Sequence, residues 1–123
     1  MHLVGYSGGG AVAVLVAARR SDVASLRTLA GYLDHKTLNR VKKVTPLYGS
    51  LNPMGIAQSI KDVPQIHFSG SKDQIIPSWV ASNFSKVADN PNCVETRIVG
   101  ATHKTGWIEL WKKISNQFPI CRR

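Results

Sequence analysis

Acidic residues are scarce in this chain: 7 Asp+Glu stand against 16 Lys+Arg in 123 residues, a formal net charge of +9. An excess of that sign attracts nucleic acid or anionic membrane surfaces. The basic residues, however, come as short pairs at the ends of apolar segments: Arg19-Arg20, Lys42-Lys43, Lys112-Lys113 and Arg122-Arg123. No stripe joins them, and no RNP, zinc-finger or helix-turn-helix pattern lies between them. They read as solvated helix ends favoured by the C-terminal dipole, so no nucleic-acid partner is expected. Cysteine is equally thin. Cys93 and Cys121 allow at most one intrachain bridge, and neither stands in a CxxC or Cys/His arrangement with metal-ligand spacing. The default expectation is two unrelated thiols, with no metal site and no cofactor. Long apolar runs are missing as well. The stretch from Gly10 to Ala18 is far too short to span a bilayer, and the N-terminus lacks a basic segment followed by an apolar run and a cleavage site. The chain reads as soluble and, by default, cytoplasmic, with an address on any preceding segment left open. Low-complexity tracts are absent, which leaves a single globular domain with one hydrophobic core as the upper limit.

What is present alternates between two periods. His2-Leu3-Val4-Gly5-Tyr6 is a short β-prone run, and Gly8-Gly9-Gly10 passes into the apolar helix Ala11 to Ala18, ended by Arg19-Arg20. Val23 to Tyr32 reads as a second strand leading into the loop Leu33-Asp34-His35. Lys36 to Ser50, with Pro46 and Gly49, reads as an irregular connection. A short helix is expected from Asn52-Pro53 to about Lys61, with Asn as cap and Pro at the first helical position. Pro64 to Gly70 is a strand, Ser78 to Ala88 a helix, Cys93 to Val99 a strand, and Gly106 to Phe118 a final helix. Strands alternating with helices predict an α/β fold with a parallel sheet of about four strands.

The chemistry concentrates in three segments. Gly5-Tyr6-Ser7-Gly8-Gly9 fits G-x-S-x-G, in which the nucleophile occupies a strained strand-to-helix turn and flanking side chains would clash. A serine hydroxyl becomes nucleophilic when an imidazole takes its proton, and that imidazole needs a carboxylate to fix its tautomer. Asp73 follows the strand ending at Phe68-Ser69-Gly70, and His103 follows the strand ending at Ile98-Val99-Gly100. In a parallel sheet those ends lie on the same side as the Ser7 turn. The plainer readings are a turn serine, a loop aspartate satisfying nearby N–H groups, and a helix-capping or solvated histidine. Asp34 is the rival acid, and Asp73 is preferred for the short loop Gly70-Ser71-Lys72-Asp73-Gln74-Ile75-Ile76-Pro77. His2 and His67 fall within strands and His35 in a loop, where packing or exposure is the ordinary explanation. Trp79, Trp107 and Trp111 fall at helical positions and are expected in the core rather than stacked on bases.

Gly5-Tyr6-Ser7-Gly8-Gly9-Gly10, then Gly70 to Pro77, then Gly100-Ala101-Thr102-His103 with Gly106-Trp107 together resemble the α/β-hydrolase superfamily over essentially the whole chain, in particular bacterial serine hydrolases. The resemblance implies a carboxylic ester or related acyl substrate, with Ser7 as nucleophile, Asp73 as acid and His103 as base. The backbone N–H of Gly8 would be one oxyanion donor. It also implies a partial fold, the C-terminal half of such a domain. The early strands and the loop giving the second oxyanion N–H would lie outside the chain. An under-covered first strand then predicts self-association through the exposed sheet edge. The contrasting expectations are a catalytically inactive truncated remnant and, further off, a basic nucleic-acid-binding module.

Overall fold

The structure is a computed structural model and describes residues 1–35 and 52–122. The expected irregular connection from Lys36 to Ser50, with its Lys42-Lys43 pair, lies outside the described residues, as does Arg123. Four strands, β1 (His2–Tyr6), β2 (Ser25–Leu29), β3 (Gln65–Gly70) and β4 (Val94–Val99), form a wholly parallel sheet in the order β1-β2-β3-β4. Each parallel step needs a crossover. Helix α1 (Gly8–Arg19) joins β1 to β2, a 3-10 helix (Pro53–Ile60) lies between β2 and β3, and α2 (Trp79–Ala88) joins β3 to β4. Helix α3 (Trp107–Ile114) follows β4. The sequence reading of an α/β fold with about four parallel strands is borne out.

The sheet separates two cores. Val14 and Ala17 of α1, Leu26 of β2, Ile60 of the 3-10 helix and Val80 and Phe84 of α2 pack on one face. Leu29, Ile66 and Phe68 meet Trp107 and Ile114 of α3 on the other. Strand alternation produces this split, since neighbouring residues of β2 and β3 point to opposite faces. Every residue of β2 and β3 is buried, as expected of inner strands of a parallel sheet. The two edges differ. β4 carries Glu95 and Arg97, which pair with each other and keep that edge polar. β1 pairs only with β2 among the described strands and leaves Val4 and Tyr6 partly exposed.

Two elements end several residues before the sequence reading, each for a local reason. β2 stops at Leu29 rather than Tyr32 because Ala30 adopts a left-handed φ of 51° while its N–H reaches Phe68 O at 2.9 Å. The last helix ends at Ile114 rather than Phe118. There the Nη1 of buried Arg27 lies 2.9, 3.2 and 3.3 Å from the carbonyl oxygens of Ile114, Ser115 and Gln117. Its guanidinium also sits between the Trp111 and Phe118 rings, 4.7 and 4.8 Å from their centroids. A cation at a helix C-terminus satisfies carbonyls that have no intrahelical donor. The segment before β3 is helical, as expected, but of the tighter 3-10 form. The Asn52 side chain accepts from the Met54 N–H at 3.3 Å at its start. The cysteines also depart from expectation: Cys93 and Cys121 are joined in a disulfide that ties the tail to the start of β4.

The turn between β1 and α1 imposes the sharpest steric demand. A Cβ on Gly5 would stand 2.2 Å from the Gly9 carbonyl oxygen, inside any allowed contact, whereas a Cβ on Gly9 would meet nothing within 4 Å. The steric requirement read from both glycines of the motif therefore holds at Gly5 and not at Gly9. Gly5→Ala should abolish folding or cost several kcal/mol, and Gly9→Ala should lie within about 1 kcal/mol of wild type in chemical denaturation.

His67 occupies the middle of β3 and is fully buried. Gln65 Nε2 donates to Ile60 O and Val63 O, so Gln65 Oε1 faces His67 Nε2 at 2.7 Å and must accept from it. Nδ1 then accepts from the Thr28 hydroxyl at 2.7 Å. Burial holds this imidazole neutral and lowers its pKa to about 3. The unfolded chain takes up a proton near pH 6.5 and the folded chain does not, so folding stability falls as pH drops through that window toward 3. His67→Gln should reduce the slope of stability against pH between about 6 and 4 by about 1.4 kcal/mol per unit, read from denaturation curves. An unchanged slope would contradict the buried neutral ring.

Candidate functional site

Ser7 lies between β1 and α1 with φ 53° and ψ −121°, a conformation that L side chains enter only under constraint. The constraint is visible in its backbone: Ser7 N–H donates to Leu29 O at 2.9 Å, and Ser7 O accepts from Gly10 N at 2.9 Å and Tyr32 N at 3.0 Å. This turn lifts the hydroxyl off the end of the sheet. Helix α1 begins at Gly8, whose N–H belongs to the first helical turn and has no intrahelical acceptor.

Asp73 lies in the loop after β3, its carboxylate fully buried. The loop is pinned to the end of β4 by Ser71 N to Val99 O at 2.8 Å and to the segment after it by Lys72 N to Ala101 O at 3.0 Å. The approach is so close that a Cβ on Gly70 would stand 2.3 Å from Ala101 O. One carboxylate oxygen, Oδ1, accepts from the Ile75 and Ile76 N–H groups, both at 2.8 Å. The other, Oδ2, faces His103 Nδ1 at 2.9 Å. Because a carboxylate only accepts, Nδ1 carries the proton, and Nε2 is left as the acceptor of the neutral ring. The Ser7 hydroxyl lies 3.0 Å from that Nε2.

The three residues singled out from the sequence thus form one hydrogen-bonded chain, Ser7 to His103 to Asp73, at the carboxyl ends of β1, β4 and β3. The His103 side chain is only 12 % exposed. His103 Nδ1 is taken by Asp73, and the rival Asp34 is buried in the segment after β2. Of the other histidines, His2 contacts Ser25 Oγ at 2.6 Å and stacks on Phe118, and the His35 ring lies 4.6 Å from that of Tyr32. Trp107 is buried, while Trp79 and Trp111 are partly buried against the two cores.

Sequence reasoning passed over the residues that hold the histidine loop. The Thr102 hydroxyl meets the Thr105 hydroxyl at 2.6 Å and accepts from Thr105 N at 3.0 Å. Trp107 Nε1 donates to Thr102 O at 2.9 Å and to His103 O at 3.1 Å. The Tyr6 hydroxyl donates to the same His103 carbonyl. The spacing Thr102-x-x-Thr105 ahead of a helix hints at such a turn. Tyr6 fills an unspecified position of its motif and carries no comparable signal.

No family model matches the chain, and no curated protein resembles it closely in sequence. Solved structures do resemble it in shape. An esterase from Pyrococcus furiosus superposes with a TM-score of 0.71 at 20% identity, over 95% of this chain and 51% of its own. The acylaminoacyl peptidase of Pyrococcus horikoshii gives 0.72 at 12% identity, over 95% and 24%. An alpha-beta serine hydrolase homologue from Coxiella burnetii gives 0.61 at 23% identity, over 94% and 48%. The chain spans about half the length of the esterase and of the Coxiella protein. Over that span its parallel sheet, helical layers and connections are those of the α/β-hydrolase fold.

Proposed function

We propose that this chain carries the catalytic residues of a serine hydrolase acting on a carboxylic ester or related acyl compound. The observation that carries the reading is the continuous hydrogen-bonded chain from Ser7 Oγ through His103 to a buried Asp73 carboxylate. Its polarity is that of an activated nucleophile. His103 Nε2 takes the hydroxyl proton as Ser7 Oγ bonds to the acyl carbon, and Asp73 holds Nδ1–H and stabilises the imidazolium that forms. Charge developing on the carbonyl oxygen is met by the Gly8 N–H at the start of α1, where the helix dipole favours an anion. His103 then gives its proton to the departing alkoxide. Water, deprotonated by the same Nε2, attacks the acyl-enzyme and releases the acid. This sequence of proton transfers requires no metal or redox cofactor.

The similar solved structures support a hydrolase in general; the ester or acyl substrate rests on the chemistry of the three residues. A second reading, a remnant that does not catalyse unaided, is favoured by one fact: the chain spans about half the length of similar hydrolases. As to location, no helix among the described residues is long and apolar enough to cross a membrane. The Cys93–Cys121 bridge supports an oxidising compartment over the cytoplasmic default.

A fluorophosphonate probe distinguishes the readings. The folded chain should form a covalent adduct on Ser7, absent in Ser7→Ala. Asp73→Asn should lower hydrolysis of an activated ester by roughly four orders of magnitude while leaving the fold intact. A folded wild-type chain that takes no label would favour the remnant, and undiminished hydrolysis by Ser7→Ala would end the assignment.

A further inference from the structure

Among the described strands, those leading into Ser7 and His103 stand at opposite ends of the sheet, with β2 and β3 between them. Three strand spacings separate β1 from β4, about 14 Å, so no ladder hydrogen bond fixes one relative to the other. The 3.0 Å contact between Ser7 Oγ and His103 Nε2 therefore depends on the loop that carries His103 and on whatever ties that loop back to β1. Only one residue of β1 makes that tie among the described hydrogen bonds. Tyr6, the last residue of β1 and the neighbour of Ser7, reaches across the sheet end, and its hydroxyl donates to the His103 carbonyl oxygen. Its ring also lies against the imidazole, with centroids 5.5 Å apart and planes inclined by 31°.

The same carbonyl accepts from Trp107 Nε1 at 3.1 Å. Two donors, one from β1 and one from α3, thus occupy both lone pairs of one backbone oxygen. A carbonyl saturated in this way cannot swing, and the peptide plane that follows the His103 side chain is fixed in the frame of the nucleophile strand. Neither donor touches the reacting atoms.

We propose that Tyr6 is a positioning residue for His103, setting the base against Ser7 through the His103 carbonyl. The proposal rests on the serine-hydrolase reading above. Tyr6→Phe keeps the ring contact and removes only the donor. Displacements of about 1 Å at a reacting pair cost up to a hundredfold in rate. With Trp107 still in place, the expected fall in kcat for an activated ester is about tenfold, with a matching fall in the rate of fluorophosphonate labelling. KM should stay unchanged, because the hydroxyl faces a backbone carbonyl. Tyr6 is 43% exposed, so the melting temperature should move little.

A second readout needs no turnover. The Nε2 nitrogen of His103, which accepts from the Ser7 hydroxyl, should give a resolved resonance in 15N-labelled wild-type protein, and this should move in Tyr6→Phe toward its position in Ser7→Ala. Equal labelling rates and an unchanged resonance in the two proteins would overturn the proposal while leaving the catalytic reading intact. If the wild-type chain takes no label, the catalytic reading fails instead. The resonance alone then decides: its movement in Tyr6→Phe supports a positioning role, and an unmoved resonance removes it.

Discussion

Ser7 holds a backbone conformation worth of order 1–3 kcal/mol of strain, and much of the surrounding structure is arranged so that no relaxed alternative exists. Its N–H is fixed to Leu29 O and its carbonyl receives both Gly10 and Tyr32. Gly5 lets the start of α1 fold back on β1 at a distance that no side chain would allow. The turn is over-determined from three sides by β1, by α1 and by the segment after β2. The direction of the hydroxyl is thereby set by the backbone alone.

Asp73 is held by a division of labour within one carboxylate. Oδ1 organises its own loop through Ile75 and Ile76, while Oδ2 is reserved for His103. A buried carboxylate with both oxygens engaged is held against reorienting toward a competing donor. The loops after β3 and β4 are further laced together at Lys72 and Ala101, so Asp73 and His103 are held as one unit. Ser7 follows the strand at the other end of the described sheet.

Much of this was readable from residue order alone. Strands alternating with helices, His2–Tyr6, Ala11–Ala18 and Pro64–Gly70 among them, announced a parallel sheet, because each parallel step needs a crossover. Ser7, Asp73 and His103 stood out because each follows a strand end, and the structure brings their side chains into contact. What escaped were pairings across long separations between residue types with ordinary local explanations. Arg27 stands in a β-prone run with no local signal of its role, yet it is buried beneath α3 and ends that helix early. His67 reads as a strand histidine, and its neutral ring with a single tautomer follows only from Gln65, Thr28 and the burial around them. Cys93 and Cys121 have no motif spacing, and only the path of the tail after Ile114 brings them together.

That bridge closes a covalent ring with a sequence separation of 28, and His103, the loop around it and all of α3 lie inside the ring. A backbone cut within it, for instance at exposed Lys104 beside the base, would leave two pieces that stay joined through sulfur. The chain is in effect a lasso whose noose carries the imidazole. Nicked there, the chain would keep its full size under non-reducing conditions and fall into two pieces only when a reductant was added.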